Sequence, residues 1–204
     1  METTGKRNRN IQNLLMEAAI RHIEKHGVNK ISLRKISADC GVTHATVYKY
    51  YENKKAFINA TIPYILSNMH PYLRRALKNA PDEEPFVVLC KSYVRYMVKH
   101  PQYHYLLHPG TLNAQPAWPV PSPIERSPYF DHPYIKIAED FFSRCKVQEQ
   151  EYSYLFPLLS SMINGLILLL NRKSLVFHGD FGDLVDIIIF QPLKLKPRRR
   201  RKSN

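Results

Sequence analysis

The chain has little glycine, 7 residues in 204. None of them forms a Gly-rich loop of the kind that cradles phosphates, which argues against a nucleotide-dependent enzyme. Cysteine is scarcer still. Cys40, Cys90 and Cys145 stand far apart with no CxxC pair, which argues against a disulfide framework or a thiolate zinc site. Buried thiols in a reduced, cytoplasmic compartment are expected. A redox role for Cys40 would require a low-pKa, exposed thiol. No signal peptide is evident. The longest apolar run, Leu155 to Leu170, is interrupted by Pro157, Ser160, Ser161, Asn164 and Gly165. It falls short of the roughly 20 residues that span a bilayer. A buried helix and no membrane partner are the expectation. No Ser/His/Asp arrangement or other catalytic set can be placed, so no catalytic residue, no cofactor and no enzyme activity are expected.

Acidic residues are also few, 17 against 30 Lys and Arg, for a net charge of +13. The excess is uneven. Residues 1–60 hold eleven Lys/Arg and five acids, residues 61–193 hold twelve of each, and residues 194–204 hold seven Lys/Arg with no acid. A neutral body with cationic ends implies phosphate contact at one end at least. The N-terminal part has no basic helix with a broad apolar face suited to a lipid surface.

Helical periodicity runs through most of the chain. Ile11, Leu14, Leu15, Ala18, Ala19 and Ile23 share one face of a first helix that Gly27 ends. Ser32 is a candidate N-cap for a second helix, with Leu33, Ile36 and Cys40 facing inward. Gly41-Val42 makes a turn, and Thr43 is a candidate N-cap for a third helix through Tyr51. Asn53 can cap a fourth helix, which Pro63 either ends near Ile62 or kinks. Pro71 then opens a further segment. Helices are expected over 86–98, 100–107, 134–145, 149–172 and 181–190. Residues 109–133 carry seven of the 15 prolines and read as a long loop.

The stretch SLRKISADCGVTHATVYKYYENKKAF, residues 32–57, is helix, tight turn, helix, with a polar, aromatic and cationic outer side. An ordinary helical hairpin has no reason to expose Tyr48, Lys49, Tyr50 and Lys54 together. A helix that lies in a DNA major groove does. Arg34, Ile36, Ala38, Gly41-Val42-Thr43, Thr46, Val47-Tyr48, Tyr50-Tyr51 and Lys54 resemble the DNA-binding domain of the TetR (tetracycline-repressor-like) regulators. Cys40 departs from the usual alanine, Lys35 stands where an acid is common, and Lys55 where Glu or Asp usually follows.

The resemblance implies an all-α protein: an N-terminal three-helix helix-turn-helix domain and a helical effector and dimerisation domain. The expected boundaries are a basic arm at 1–9, the DNA-binding domain at 10–66, the effector and dimerisation domain at 67–195 and a basic tail at 196–204. The expected DNA contacts are Ser32, Arg34, Thr43, His44, Ala45, Thr46, Tyr48, Lys49, Tyr50 and Lys54. His44 can read a base edge, and the Ala45 methyl can meet a thymine methyl. Tyr48, Tyr50 and Lys54 stand where the family holds backbone phosphates. For Tyr48 the competing role is core packing, which is the favoured role for Tyr51.

Double-stranded DNA carrying a near-palindromic operator is the expected partner, bound by a homodimer. Repression is the family's usual mode. The dimer is expected through the last two long helices, at Leu159, Ile163, Gly165, Leu166 and Ile188. Tyr93, Tyr96, Tyr103, His104, Trp118 and Phe141 are candidate lining for an apolar or aromatic small-molecule effector; for each, plain core packing is the competing role. An alternative is a regulator without effector, or one partnered by protein through the Pro-rich loop or basic tail. His100, His104 and His108 are spaced by four, as zinc ligands on one helix can be. Pro101 and Pro109 put His100 and His108 at helix ends, so packing is favoured and no metal is expected.

Overall fold

The computed structural model describes residues 2–107, 133–175 and 177–194. Among them there is no strand, and the protein is all-α. Expectations that fall on Trp118, His108, the Pro-rich stretch and the basic tail lie outside the described residues. The chain divides into two compact units.

The first unit comprises residues 2–71 and 100–107. Helix α1, Glu2–His26, begins at once, so the expected basic arm is helical. Residues 2–9 contain no proline, and the helix simply propagates to its N-terminal end. Leu15, Ala19 and Ile23 are wholly buried on its inner face. Gly27, at φ 83°, ends it and leads into a short 3-10 turn, Val28–Lys30. A methyl at Gly27 would stand 3.2 Å from Gln102 of α6, Pro101–Leu107, so both backbone and space favour glycine here.

Helix α6 closes on the end of α1. Glu24 Oε1 accepts from the Tyr103 hydroxyl at 2.5 Å and lies 2.9 Å from His100 Nδ1. The expected bounds, 67–195, put this segment in the second domain. Packing places it in the first, because its partners lie at the α1 terminus and the 3-10 turn.

Helix α4, Lys54–Asn79, runs unbroken through Pro63 and Pro71. Of the two alternatives at Pro63, an end near Ile62 is excluded, and the expected separate segment opening at Pro71 is overturned. Each proline removes one amide donor, from the carbonyls of Asn59 and Ser67, and the surrounding turns persist. Side-chain hydroxyls add local bonds: Thr61 Oγ1 donates to the Ile58 carbonyl at 2.6 Å and Ser67 Oγ to that of Tyr64 at 2.7 Å. The two units part at Pro71, five residues beyond the expected boundary at 66.

The second unit holds the rest of α4 with α5, Pro85–Lys99, α7, Pro133–Arg144, α8, Glu149–Asn171, and α9, Phe181–Phe190. Helix α5 packs against all three later helices. Phe86, Phe141 and Phe142, each at most 5% exposed, form its aromatic centre, and Phe86 stacks on Phe141 at 4.9 Å. Asp180 caps α9 by accepting from the Gly182 amide at 2.7 Å.

Candidate nucleic-acid interface

The interface is built by capping. Ser32 Oγ accepts from the Lys35 amide and starts α2, Leu33–Asp39. Leu33, Ile36 and Ser37 are its buried face. Gly41, at φ 66°, reverses the chain in the left-handed region, and the amides of Gly41 and Val42 donate back to Ala38 and Ser37. Thr43 Oγ1 then accepts from the Thr46 amide at 3.3 Å and opens α3, His44–Tyr48. The two threonine hydroxyls pair at 2.9 Å.

Helix α3 is shorter than the sequence implied. It closes at Tyr48, and Lys49 to Tyr51 form the turn after it. Its single buried residue, Val47, is fully enclosed and anchors the helix on the unit's core. With Val47 facing inward, His44, Ala45, Tyr48 and Lys49 are exposed. The Tyr48 ring is 47% exposed, so it is not a core residue, and it meets His44 edge-on at 5.0 Å. Tyr51 instead packs edge-on against the wholly buried Phe57 at 5.0 Å. Burial pushes its phenol pKa up, with a smaller contribution from Tyr50.

Arg34 and Thr43 are exposed, while Ser32, Thr46 and Tyr50 are half-buried. Lys54 opens α4, whose start Asn53 caps through the Ala56 amide at 2.8 Å. A lysine there adds to the pull of the free amides on an anion. Lys35 and Lys55, not among the candidates, are also exposed cations.

Cys40 caps α2 and its thiol donates to the Leu14 carbonyl at 3.4 Å. Burial raises its pKa, the opposite of what a sensing thiolate requires.

The five effector candidates among the described residues fall in both units. Tyr103 and His104 lie in the first unit, and Tyr93, Tyr96 and Phe141 in the second. Tyr103 is bonded to Glu24, and Phe141 belongs to the aromatic centre. Tyr96 is 7% exposed and rests on Tyr72 at 5.2 Å. These are packing roles, as core aromatics usually have. Among the described residues no group of His, Cys, Asp and Glu is arranged to hold a metal.

The dimer candidates are corrected in part. Leu159, Ile163 and Leu166 are 2–6% exposed, buried in their own protomer's core, and Ile188 is half-buried. The free apolar residues of α8 are on its other side: Tyr154, Leu158, Met162 and Leu169, exposed by 77, 46, 38 and 43%. Gly165 falls on this stripe, with nothing within 4 Å of the place a Cβ would take. Ile187 of α9, 48% exposed, is free as well. Gln150–Asn171 is long and apolar enough to cross a membrane by length and composition, contrary to the expectation from its interrupted run, and only 24% of its most apolar stretch is buried.

The family model described as "Bacterial regulatory proteins, tetR family" matches residues 15–61. No curated protein matches the sequence. The fold is similar to that of RolR in complex with resorcinol, at 12% identity and TM-score 0.59, over 93% of this chain and 89% of that one. It is also similar to the fatty acid degradation regulator FadR from Bacillus halodurans, at 16% identity and TM-score 0.55, over 93% and 97%. A TetR-like transcriptional regulator from Rhodococcus sp. RHA1 shares the fold at 14% identity and TM-score 0.53, over 91% and 97%.

Proposed function

We propose that this chain, whose residues 15–61 match the tetR-family model, is a tetR-family transcription regulator and a cytoplasmic homodimeric repressor released from its operator by a small molecule. The observation that carries the DNA-binding part is the outer face of α3. Val47 is buried, so His44, Ala45, Tyr48 and Lys49 are presented together, with Arg34 and Lys54 exposed. Short side chains at the start of the helix allow close approach to base edges. The cations at the rim supply phosphate attraction that is independent of sequence.

A homodimer gives the site its symmetry, with recognition helices about 34–36 Å apart, one DNA turn. The exposed stripe on α8 with Ile187 is the surface we assign to the partner copy. Covering it removes from water the apolar area that would otherwise suit a bilayer. Release follows if the effector binds better to an arrangement in which the two recognition helices no longer fit the operator. The similarity to RolR, which is complexed with resorcinol, is consistent with a small effector. Regulators of this family generally work without catalysis.

Two substitutions test the assignment. Lys54→Ala is expected to weaken binding to all duplexes alike and to lower the salt slope by roughly one unit. His44→Ala is expected to change preference at one base pair by about 1–3 kcal/mol. Equal weakening on every sequence by both would refute base reading by His44.

A further inference from the structure

The second unit contains a cleft of about 190 Å³ between the end of α4 and α5. Ala76, Ala80 and Val88 form its apolar wall, and Lys91, Ser92 and Arg95 its polar one. Lys91 and Ser92 are only 6% and 3% exposed. A buried cation and a buried hydroxyl on the wall of a cavity are costly unless they meet polar partners. Asp186 Oδ1 takes the Lys91 ammonium at 2.6 Å. An ammonium has three N–H donors, so one carboxylate oxygen does not exhaust it. Arg95, a second cation in the lining, has its guanidinium carbon 5.5 Å from the centre of the Phe181 ring. The one acid in the lining, Glu83, is exposed.

We propose that this cleft binds a small organic carboxylate, its charge seated by Lys91, Ser92 and Arg95 and its carbon body on Ala76, Ala80 and Val88. The proposal rests on the effector reading above and names the effector's chemical class. The space equals roughly six water volumes, which suits a compact acid and falls below the ~300 Å³ of drug-sized sites. The position gives such a ligand two levers. It touches the last turns of α4, the helix whose first residue is Lys54. It also shares Lys91 with Asp186 of α9, the neighbour of exposed Ile187. A carboxylate that draws on Lys91 weakens the tie between α5 and α9 and favours whichever arrangement accepts it better.

The test uses the full-length protein with hexanoate, benzoate and succinate, and with hexanamide and benzamide as uncharged controls. Calorimetric titration is expected to show at least one carboxylate binding tenfold or more tightly than its amide. Arg95→Gln, an exposed substitution, should weaken that binding about tenfold. The paired Lys91→Met/Asp186→Asn variant removes both charges together, leaving no lone buried ion, and should abolish the preference for acid over amide. Acid and amide binding alike, no binding by any of the three acids, or a preference that survives both variants would overturn the proposal. The same titrations on the DNA-bound protein separate the two readings. A carboxylate that binds the cleft but leaves DNA affinity unchanged upholds the site and refutes release by it. Release by an uncharged ligand, unaffected by either variant, refutes the cleft and upholds release.

Discussion

Leu158→Asp is expected to split the dimer without unfolding the protomer. Leu158 is 46% exposed in the isolated chain and lies mid-stripe on α8, between Tyr154 and Met162. Fully burying a leucine side chain is worth about 1.5–3 kcal/mol, so covering the remaining half gives roughly 0.7–1.4 kcal/mol per copy. A two-fold interface counts it twice, about 1.4–2.8 kcal/mol. The substitution also places two carboxylates in a desolvated seam, each costing further unless paired. A total above about 3 kcal/mol makes the dissociation constant more than a hundredfold larger. Leu159→Asp, one residue on, is the control. Leu159 is 2% exposed, and a charge there disrupts the protomer's own core, so it should cause unfolding instead. Sedimentation velocity across a concentration series, with circular dichroism at each point, distinguishes the two. A Leu158→Asp protein that sediments like the wild type at every concentration would refute the stripe as an interface, as would a wild type monomeric at micromolar concentration.

Pro63→Ala and Pro71→Ala should each restore an amide donor inside α4 and raise local helix preference by up to about 3 kcal/mol. Hydrogen exchange should slow around residues 59–71. If the proline sites set the bend of the helix, affinity for DNA changes although no DNA contact is altered; unchanged affinity discards the hinge. Alkaline stability should bear the mark of Cys90, whose thiol burial pushes up to about 12. Its folded pKa lies above its unfolded value, so the unfolded thiol ionises first as pH rises. The stability it contributes is whole below about pH 9 and declines between about 9 and about 12. Denaturant midpoints of Cys90→Ala against wild type should therefore converge as pH climbs through that window; a constant gap would contradict burial as the cause.

The DNA-binding unit was the most legible part because its signals are local. Ser32, Thr43 and Asn53 were readable as caps from residue type and spacing, and each accepts the amide expected of it. Gly41 takes a left-handed φ of 66°, which glycine adopts most readily. The resemblance implied Tyr48 outward, and core packing was the favoured role for Tyr51; Tyr48 is exposed and Tyr51 half-buried. What failed depends on tertiary context. Pro63 read as either a helix end or a kink and Pro71 as the start of a new segment, but the turns around them carry α4 through both. The placement of α6 was hidden because Glu24 and Tyr103 are 79 residues apart. On α8 both faces are apolar, so periodicity could not say which turns inward; Leu159 and Leu158 look alike in sequence and differ only once α5 is packed. The cleft around Lys91 was missed because an isolated lysine and arginine on an amphipathic helix read as solvated charges.

Selection of DNA sites from a random duplex library by the full-length protein, at physiological salt, addresses the central claim directly. The account predicts enrichment of a near-palindrome with half-sites about one helical turn apart. It also predicts that His44→Ala shifts the preferred base at one position in each half-site, whereas Lys54→Ala leaves the sequence unchanged. A wild-type protein that enriches no sequence, or one whose selected site is indifferent to His44→Ala, would contradict it.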